Sequence, residues 1–264
     1  MEQVLRQTWA FFFRDYHLTR RYMSWVIVFT FYAVVNTATI ALIGVALGDR
    51  RLTLLLILGA LLWNFLSVLF SEIANSITYE RWEGTLEYTF MAPVRRWTQL
   101  FGSVLYAMVY GLIHTAAIFI VLVLFFPQLD FGRADAGTAL AFVLLGSFSI
   151  VGIGMIAAIL PLLYVERGAQ MAWVLQSLIL LVSGVYYSID VLPGWMRAVS
   201  ALSPATYVLD GVRLGLIDGV PATALLHDVW PLVVMGILLI PLGLWAFTLA
   251  ERYAKRTGKL KRVG

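Results

Sequence analysis

YERWEGTLEYTFMAP, residues 79–93, is the densest charge cluster between two long apolar runs, one ending near Ile77 and the next beginning near Leu100. Charge at that density stands in water, and apolar runs of that length span a bilayer. The segment therefore reads as an aqueous loop between two membrane spans, and the fold as an all-α polytopic membrane protein. Within the loop, Thr85 is placed to cap a short helix by accepting from an orphan backbone N–H. Glu87 falls in the first turn, where the helix dipole favours a negative charge. Leu86 and Phe90, at i and i+4, share a face. Pro93 removes a donor and biases Ala92 away from helix, so the element stops there. A short helix with an apolar ridge at the mouth of a bundle is suited to docking in a groove on another protein. The plainer alternative is a connecting loop with one helical turn.

Composition sets the class. The chain has 264 residues, 61% hydrophobic and only 13% charged, with a mean hydropathy of +0.86. Soluble domains run near a quarter charged, so this chain belongs in a bilayer. A span takes about 20 apolar residues, which leaves room for six with short loops. There are no cysteines, so neither a disulfide framework nor a thiolate metal site is available. The net charge of +4 is spread over several loops and one tail, which is not the pattern of a nucleic-acid-binding protein.

Taken in order, residues 1–22 place Leu5, Trp9, Phe12 and Tyr16 along one helical stripe, with Gln3, Gln7, Arg14 and His17 opposite. With Arg20 and Arg21 at its end, this reads as a helix lying in the membrane interface. Six spans are expected near Met23–Leu47, Leu52–Ile77, Leu100–Phe126, Thr138–Tyr164, Ala169–Tyr187 and Trp230–Leu249. Both termini then share a side with the 78–99 loop. That side carries fourteen of the Lys and Arg residues against five on the other, which places it in the cytoplasm. The basic tail, 251–264, is a topological anchor or a contact for anionic lipid. In span 4, Gly146, Gly152, Gly154 and Pro161 let helices approach closely. Residues 184–229 are too apolar for a solvated loop and are broken by Gly and Pro. Leu192, Trp195, Met196, Val199 and Leu202 recur at helical spacing, Pro193 suits a first helical position, and Tyr207–Ile217 makes a second short helix in which Asp210 and Arg213 can pair. Two helices too short to span fit a re-entrant hairpin over about 190–218.

Two stretches carry a family resemblance. Glu80-Arg81-Trp82-Glu83-Gly84-Thr85-Leu86-Glu87 followed by Met91-Ala92-Pro93-Val94 resembles the loop between spans 2 and 3 of ABC-2 type transporter permeases. Asp190, Pro193, Pro204, Tyr207, Asp210 and Arg213 resemble the external helical hairpin before the last span of that family. The resemblance covers the chain: interfacial helix 1–22, transmembrane domain 23–250, tail 251–264. It implies that residues 85–91 form the coupling helix that contacts a separate ATPase, with Glu83, Thr85, Leu86, Glu87, Tyr88 and Phe90 as contact residues. It further implies a permease homodimer or heterodimer in the bacterial inner membrane, two ATPase subunits, and a substrate path along the dimer interface. ATP and Mg would be used by the partner, with no cofactor bound by this chain.

Candidate chemistry is otherwise thin. No Gly-x-x-x-x-Gly-Lys-[Ser/Thr] phosphate loop is present, so the chain does not itself cradle ATP. His17, His114 and His227 are too scattered to share a metal. His114 and Glu72 are intramembrane polar residues: His114 bonds a neighbouring helix or relays protons, and Glu72 pairs with Arg81 or Arg167 or lines a substrate path. Asn36 and Asn64 are expected to be satisfied across helices. The function expected is ATP-driven export of a drug-like, lipid or other amphipathic substrate. Export of a lipid-linked polysaccharide is the alternative, and an ion-driven secondary carrier a second, although no inverted repeat of broken helices is evident. A Ser147–His114 hydrolase dyad is a remoter possibility.

Overall fold

The computed structural model describes residues 2–126 and 135–260, with backbone alone at 226–228. The side chain of His227, and the cations Arg133, Lys261 and Arg262, lie outside the described residues. Eleven α-helices and no strand are found among those residues. They are α1 (Glu2–Arg21), α2 (Met23–Ala46), α3 (Arg50–Glu83), α4 (Leu86–Met91), α5 (Arg96–Phe125), α6 (Ala136–Ala157), α7 (Ile159–Leu163), α8 (Gly168–Val182), α9 (Gly194–Ser200), α10 (Pro204–Leu216) and α11 (Leu226–Thr257). Five stretches are long and apolar enough to cross a membrane: α2, α3, α5, α6 with α7, and residues 229–257 of α11. At 34 residues, α3 runs about 51 Å and overshoots a hydrocarbon core of about 30 Å, carrying its polar end beyond it.

The span expected at Ala169–Tyr187 is shorter than that. Its helix, α8, has 15 residues, a rise of about 22 Å. Gly184, at φ 65°, turns the chain out of helix where a side-chain-bearing residue would be strained. The turn is then held by Arg213, which donates to the carbonyls of Gly184 and Val185. α3 can lie against this turn only at Gly59, where a Cβ would stand 2.3 Å from the Val185 oxygen.

Past the turn, α9 has seven residues, shorter than the spacing of Leu192 to Leu202 suggested. Only Leu192 of that stripe is buried, while Trp195, Val199 and Leu202 are exposed. Pro193 sits at the N-cap of α9, and it is Pro204 that takes a first helical position, opening α10. α10 packs antiparallel along α6. Gly146 meets Val208, Gly211 meets Phe142 and Gly215 meets Thr138, while the Gly215 oxygen accepts from the Asp135 N–H.

α6 is the axis of the bundle, against α3, α10 and α11. A Cβ on Gly152 would stand 2.4 Å from the Leu239 backbone, and one on Gly243 would stand 2.5 Å from the Gly152 oxygen. The two helices thus touch backbone to backbone, the contact small residues permit in lipid. One apolar core gathers Phe65, Leu69, Phe142, Val208 and Leu209. A second, at the α4 end, gathers Ile73, Ile77, Leu86, Phe90, Leu100 and Phe247.

α1 lies across α5 at Gly102, where a Cβ would stand 2.7 Å from the Thr8 carbonyl oxygen. The face it buries holds Thr8 and Asp15; of the apolar stripe, Phe12 packs edge-on against Tyr106 of α5 at 5.8 Å, while Leu5, Trp9 and Tyr16 are exposed.

Candidate functional site

The charged loop folds as a joint between α3 and α5. Gly84, at φ 70°, closes α3 in the left-handed conformation, and Thr85 N–H bonds back to the Glu80 oxygen at 2.9 Å. Thr85 is therefore committed to ending α3. Its backbone is in the right-handed region and its hydroxyl donates to the Glu80 oxygen at 3.4 Å, so it does not cap α4 by its side chain, as had been expected. α4 ends at Ala92, which is extended ahead of Pro93.

Leu86 and Phe90 do share a face, but that face points inward. They are 2% and 3% exposed, with Phe90 packed on Phe247 of α11 at a centroid distance of 6.5 Å. The docking ridge expected there is an anchor into the bundle's own core, because burial of two large apolar groups against Ile73, Ile77 and Phe247 outweighs leaving them in water. Aspartate at either position would break the joint rather than test docking. The outward surface is instead Tyr88 (77% exposed), Met91 (80%) and Trp82 (66%), with Thr85, Pro93 and Arg95 also exposed and Glu83 and Glu87 half-buried.

Arg96 fixes α4 to the bundle. Its guanidinium donates to the Thr89 and Phe90 carbonyls at 3.1 and 2.9 Å, to Gln99 Oε1 at 2.9 Å and to Glu251 Oε1 at 2.9 Å. It also lies over the Phe90 ring, 4.3 Å from the centroid. A cation at the last carbonyls of a helix also opposes the negative end of its dipole. Glu251, on α11, is paired a second time by Lys255 at 2.7 Å. Gln99 donates onward to Glu80 at 3.2 Å, and Glu80 is ion-paired with Arg14 of α1. One polar chain thus ties α1, α3, α4, α5 and α11 at this end of the bundle.

Arg81 supports the same joint from behind. It is 6% exposed and donates to the carbonyls of Pro161 and Leu162, at the broken end of α6–α7, and to the Lys259 carbonyl at 2.9 Å. At the rim, Glu83 accepts from Tyr22 at 2.8 Å and pairs with Arg21. That hydrogen bond holds the Tyr22 phenol above its ordinary pKa, with the carboxylate's negative charge adding to it.

Arg96, Gln99 and Glu251 were not singled out from the sequence, and Arg14 and Glu80 were named there but not as partners. The available signal was charge on helix ends otherwise apolar: Glu80 one turn before Gly84, and Glu251 four residues before Lys255.

The intramembrane pair is separated and differently partnered from expectation. Among the described residues no cation pairs with Glu72. Arg81 is spent on carbonyls and Arg167 is exposed, because helices α7 and α8 turn sharply between them. His114 Nδ1 meets Asn64 Oδ1 at 3.0 Å, so Asn64 is satisfied across helices as expected, while Asn36 is exposed. Ser147 donates to the Val143 carbonyl at 2.6 Å and does not meet His114. At the opposite end, Asp210 lies 3.8 Å from Arg213, the Tyr207 hydroxyl donates to the Ala201 carbonyl at 2.9 Å, and Asp190 and Pro193 are exposed. No group of three or more metal-ligating side chains is found among the described residues.

Five helices long and apolar enough to cross a membrane, with a polar joint that holds a short helix at one end of the bundle, make the architecture of a membrane protein. The chain belongs to the ABC-2 type transporter family, which matches residues 3–217. That family comprises membrane permeases that work with an ABC ATPase. A search of curated proteins returned no match.

Proposed function

We propose that this permease is the transmembrane subunit of an ATP-driven exporter of amphipathic molecules, and that α4 is the element on which its ATPase pushes. The observation that carries this reading is the two-sidedness of α4. Its inner face is anchored through Phe90 and Arg96 to three spans, and its outer face offers Tyr88 and Met91 to water. A helix held this way transmits displacement instead of absorbing it. Aromatic and Met side chains are also the kinds that anchor protein interfaces.

The α4 end lies in the cytoplasm on this reading, supported by the fourteen-to-five bias of basic residues. Both termini lie there too, in a bacterial inner membrane. Two copies of the permease, or one with a similar partner, would bind two ATPase subunits that use ATP and Mg. α8 and α10 together make the sixth crossing, α8 rising from the α4 end and α10 completing the passage as half of a re-entrant hairpin buttressed by α6. Polar backbone at membrane depth is tolerable there because Arg213 meets it.

The test uses the permease reconstituted with its ATPase. Tyr88→Asp should abolish permease-dependent stimulation of ATP hydrolysis while leaving thermal stability within about 0.5 kcal/mol, as for a surface change. Full stimulation by that variant, and by Met91→Asp, would defeat the reading.

A further inference from the structure

The basic tail leaves the bundle at a corner with a defined geometry. α11 closes at Gly258, whose φ of 71° turns the chain back, and the Lys259 N–H bonds to the Ala254 carbonyl at 3.0 Å. Leu260 then packs on the core at the α4 end, and the Lys259 carbonyl accepts from buried Arg81 at 2.9 Å. Lys259 is thus fixed through its backbone, which leaves the direction of its side chain well set. Its ammonium stands 5.6 Å from the ring centroid of Tyr164, just past α7, and 5.2 Å from that of Tyr253 on α11. Both rings are reachable from outside, at 49% and 50% exposed.

The ends of two spans therefore meet around one cation, with tyrosines at the level where an interfacial belt forms. Two further cations flank it. Arg256 follows Tyr253 by three residues and Arg167 follows Tyr164 by three, and both are exposed. α8 starts beside Arg167 with no acidic residue in its first turn, so the positive end of its dipole adds to the same corner.

The pairing of charges sets this corner apart. Arg96 and Lys255 are spent on Glu251, Arg14 on Asp15 and Glu80, and Arg21 on Glu83. Among the described residues, Lys259, Arg256 and Arg167 have no carboxylate partner, and Glu166 is the single acidic residue within 158–176 and 252–260. One turn and more toward the middle of the spans, the exposed groups become apolar, with Leu249 on α11 and Val174 on α8.

We infer that this corner binds an anionic phospholipid, its phosphate held by Lys259, Arg256 and Arg167 and its acyl chains lying along the exposed faces of α8 and α11. Charge complementarity selects the anion, and basic pockets between spans are the sites that such headgroups occupy. The apolar surface below the cations selects a lipid over a soluble phosphate, because only a lipid meets both at once. The inference concerns a different surface from α4 and holds whether or not an ATPase docks there.

The test uses the permease alone, stripped of lipid in a neutral detergent and followed by native mass spectrometry. It is titrated with dioleoyl phosphatidylglycerol and, separately, with dioleoyl phosphatidylcholine. Wild type should bind the first phosphatidylglycerol at least about tenfold more tightly than the first phosphatidylcholine, since each cation near the surface is worth about fivefold for an anionic lipid. Lys259→Gln should cut that preference about fivefold, and Lys259→Arg should keep it. The substitution leaves the backbone bonds of residue 259 in place, so the loss reads the side chain and not the fold. Arg20→Gln, which removes the same charge elsewhere on the surface, should leave the preference as it is. Equal affinity for the two lipids, an unchanged preference in Lys259→Gln, or an equal loss in Arg20→Gln would overturn the assignment. Displacement of the bound lipid by sn-glycerol 3-phosphate would overturn it too, and would give the corner to a soluble phosphate.

Discussion

Arg96→Met is the most informative single change to the joint. It removes the guanidinium while keeping most of the stem that packs on Phe90. Three things are then left uncompensated: the Thr89 and Phe90 carbonyls, the Gln99 oxygen, and one of two cations on Glu251. Breaking one side of a buried ion pair costs about 3–5 kcal/mol, and both partners here are 10% exposed or less. Lys255 remains 2.7 Å from Glu251 and offsets part of that, but the α4 carbonyls have no substitute donor in the structure. We expect a net loss near the low end, about 3 kcal/mol, concentrated in α4 rather than spread over the bundle. Thermal unfolding in detergent measures the global part, and amide exchange over residues 86–91 measures the local part. Glu251→Gln supplies the cycle: the double variant should be less destabilised than the sum of the singles by more than about 1 kcal/mol, as for directly interacting residues. Additive losses, with unchanged exchange in α4, would show that Arg96 does not hold the helix.

Other expectations follow from single contacts. Gly152→Val should destabilise by about 1–3 kcal/mol or prevent folding, since its Cβ would stand 2.4 Å from rigid backbone; thermal melting of the purified variant measures this. Arg213→Met should free the Gly184 and Val185 carbonyls and raise protease sensitivity between α8 and α10, with the α4 end unaffected; limited proteolysis mapped by mass spectrometry decides. Tyr22 has its pKa raised by Glu83, so its contribution is complete below the ordinary phenol value of about 10 and lost as pH rises through the folded value. Carbon-13 NMR of labelled tyrosine should show one resonance titrating late, and Glu83→Gln should return it to the ordinary range.

Class and loop were legible because they rest on long-range averages: hydropathy over twenty residues and charge between spans. Direction was not. The i,i+4 spacing of Leu86 and Phe90 shows that they share a face but not whether that face meets water or α11, since the deciding partner, Phe247, lies far away in sequence. Thr85 misled for a local reason, as the same residue can open one helix or close the one before it, and Gly84 ahead of it decided for closure. α8 misled because its apolar run continues past Gly184 in composition but not in backbone. The Asp210–Arg213 pair could be read from spacing. The heavier duty of Arg213, on carbonyls about thirty residues back, could not.

Arg81 has a bearing on how the chain is made. Its guanidinium leaves the ribosome early, yet its partners are the carbonyls of Pro161, Leu162 and Lys259, the last of these some 180 residues later. During synthesis that cation stays in water at the membrane surface, and the floor beneath α4 is incomplete until the final helix arrives. A nascent or truncated subunit would therefore carry α4 without the footing that the end of the chain completes.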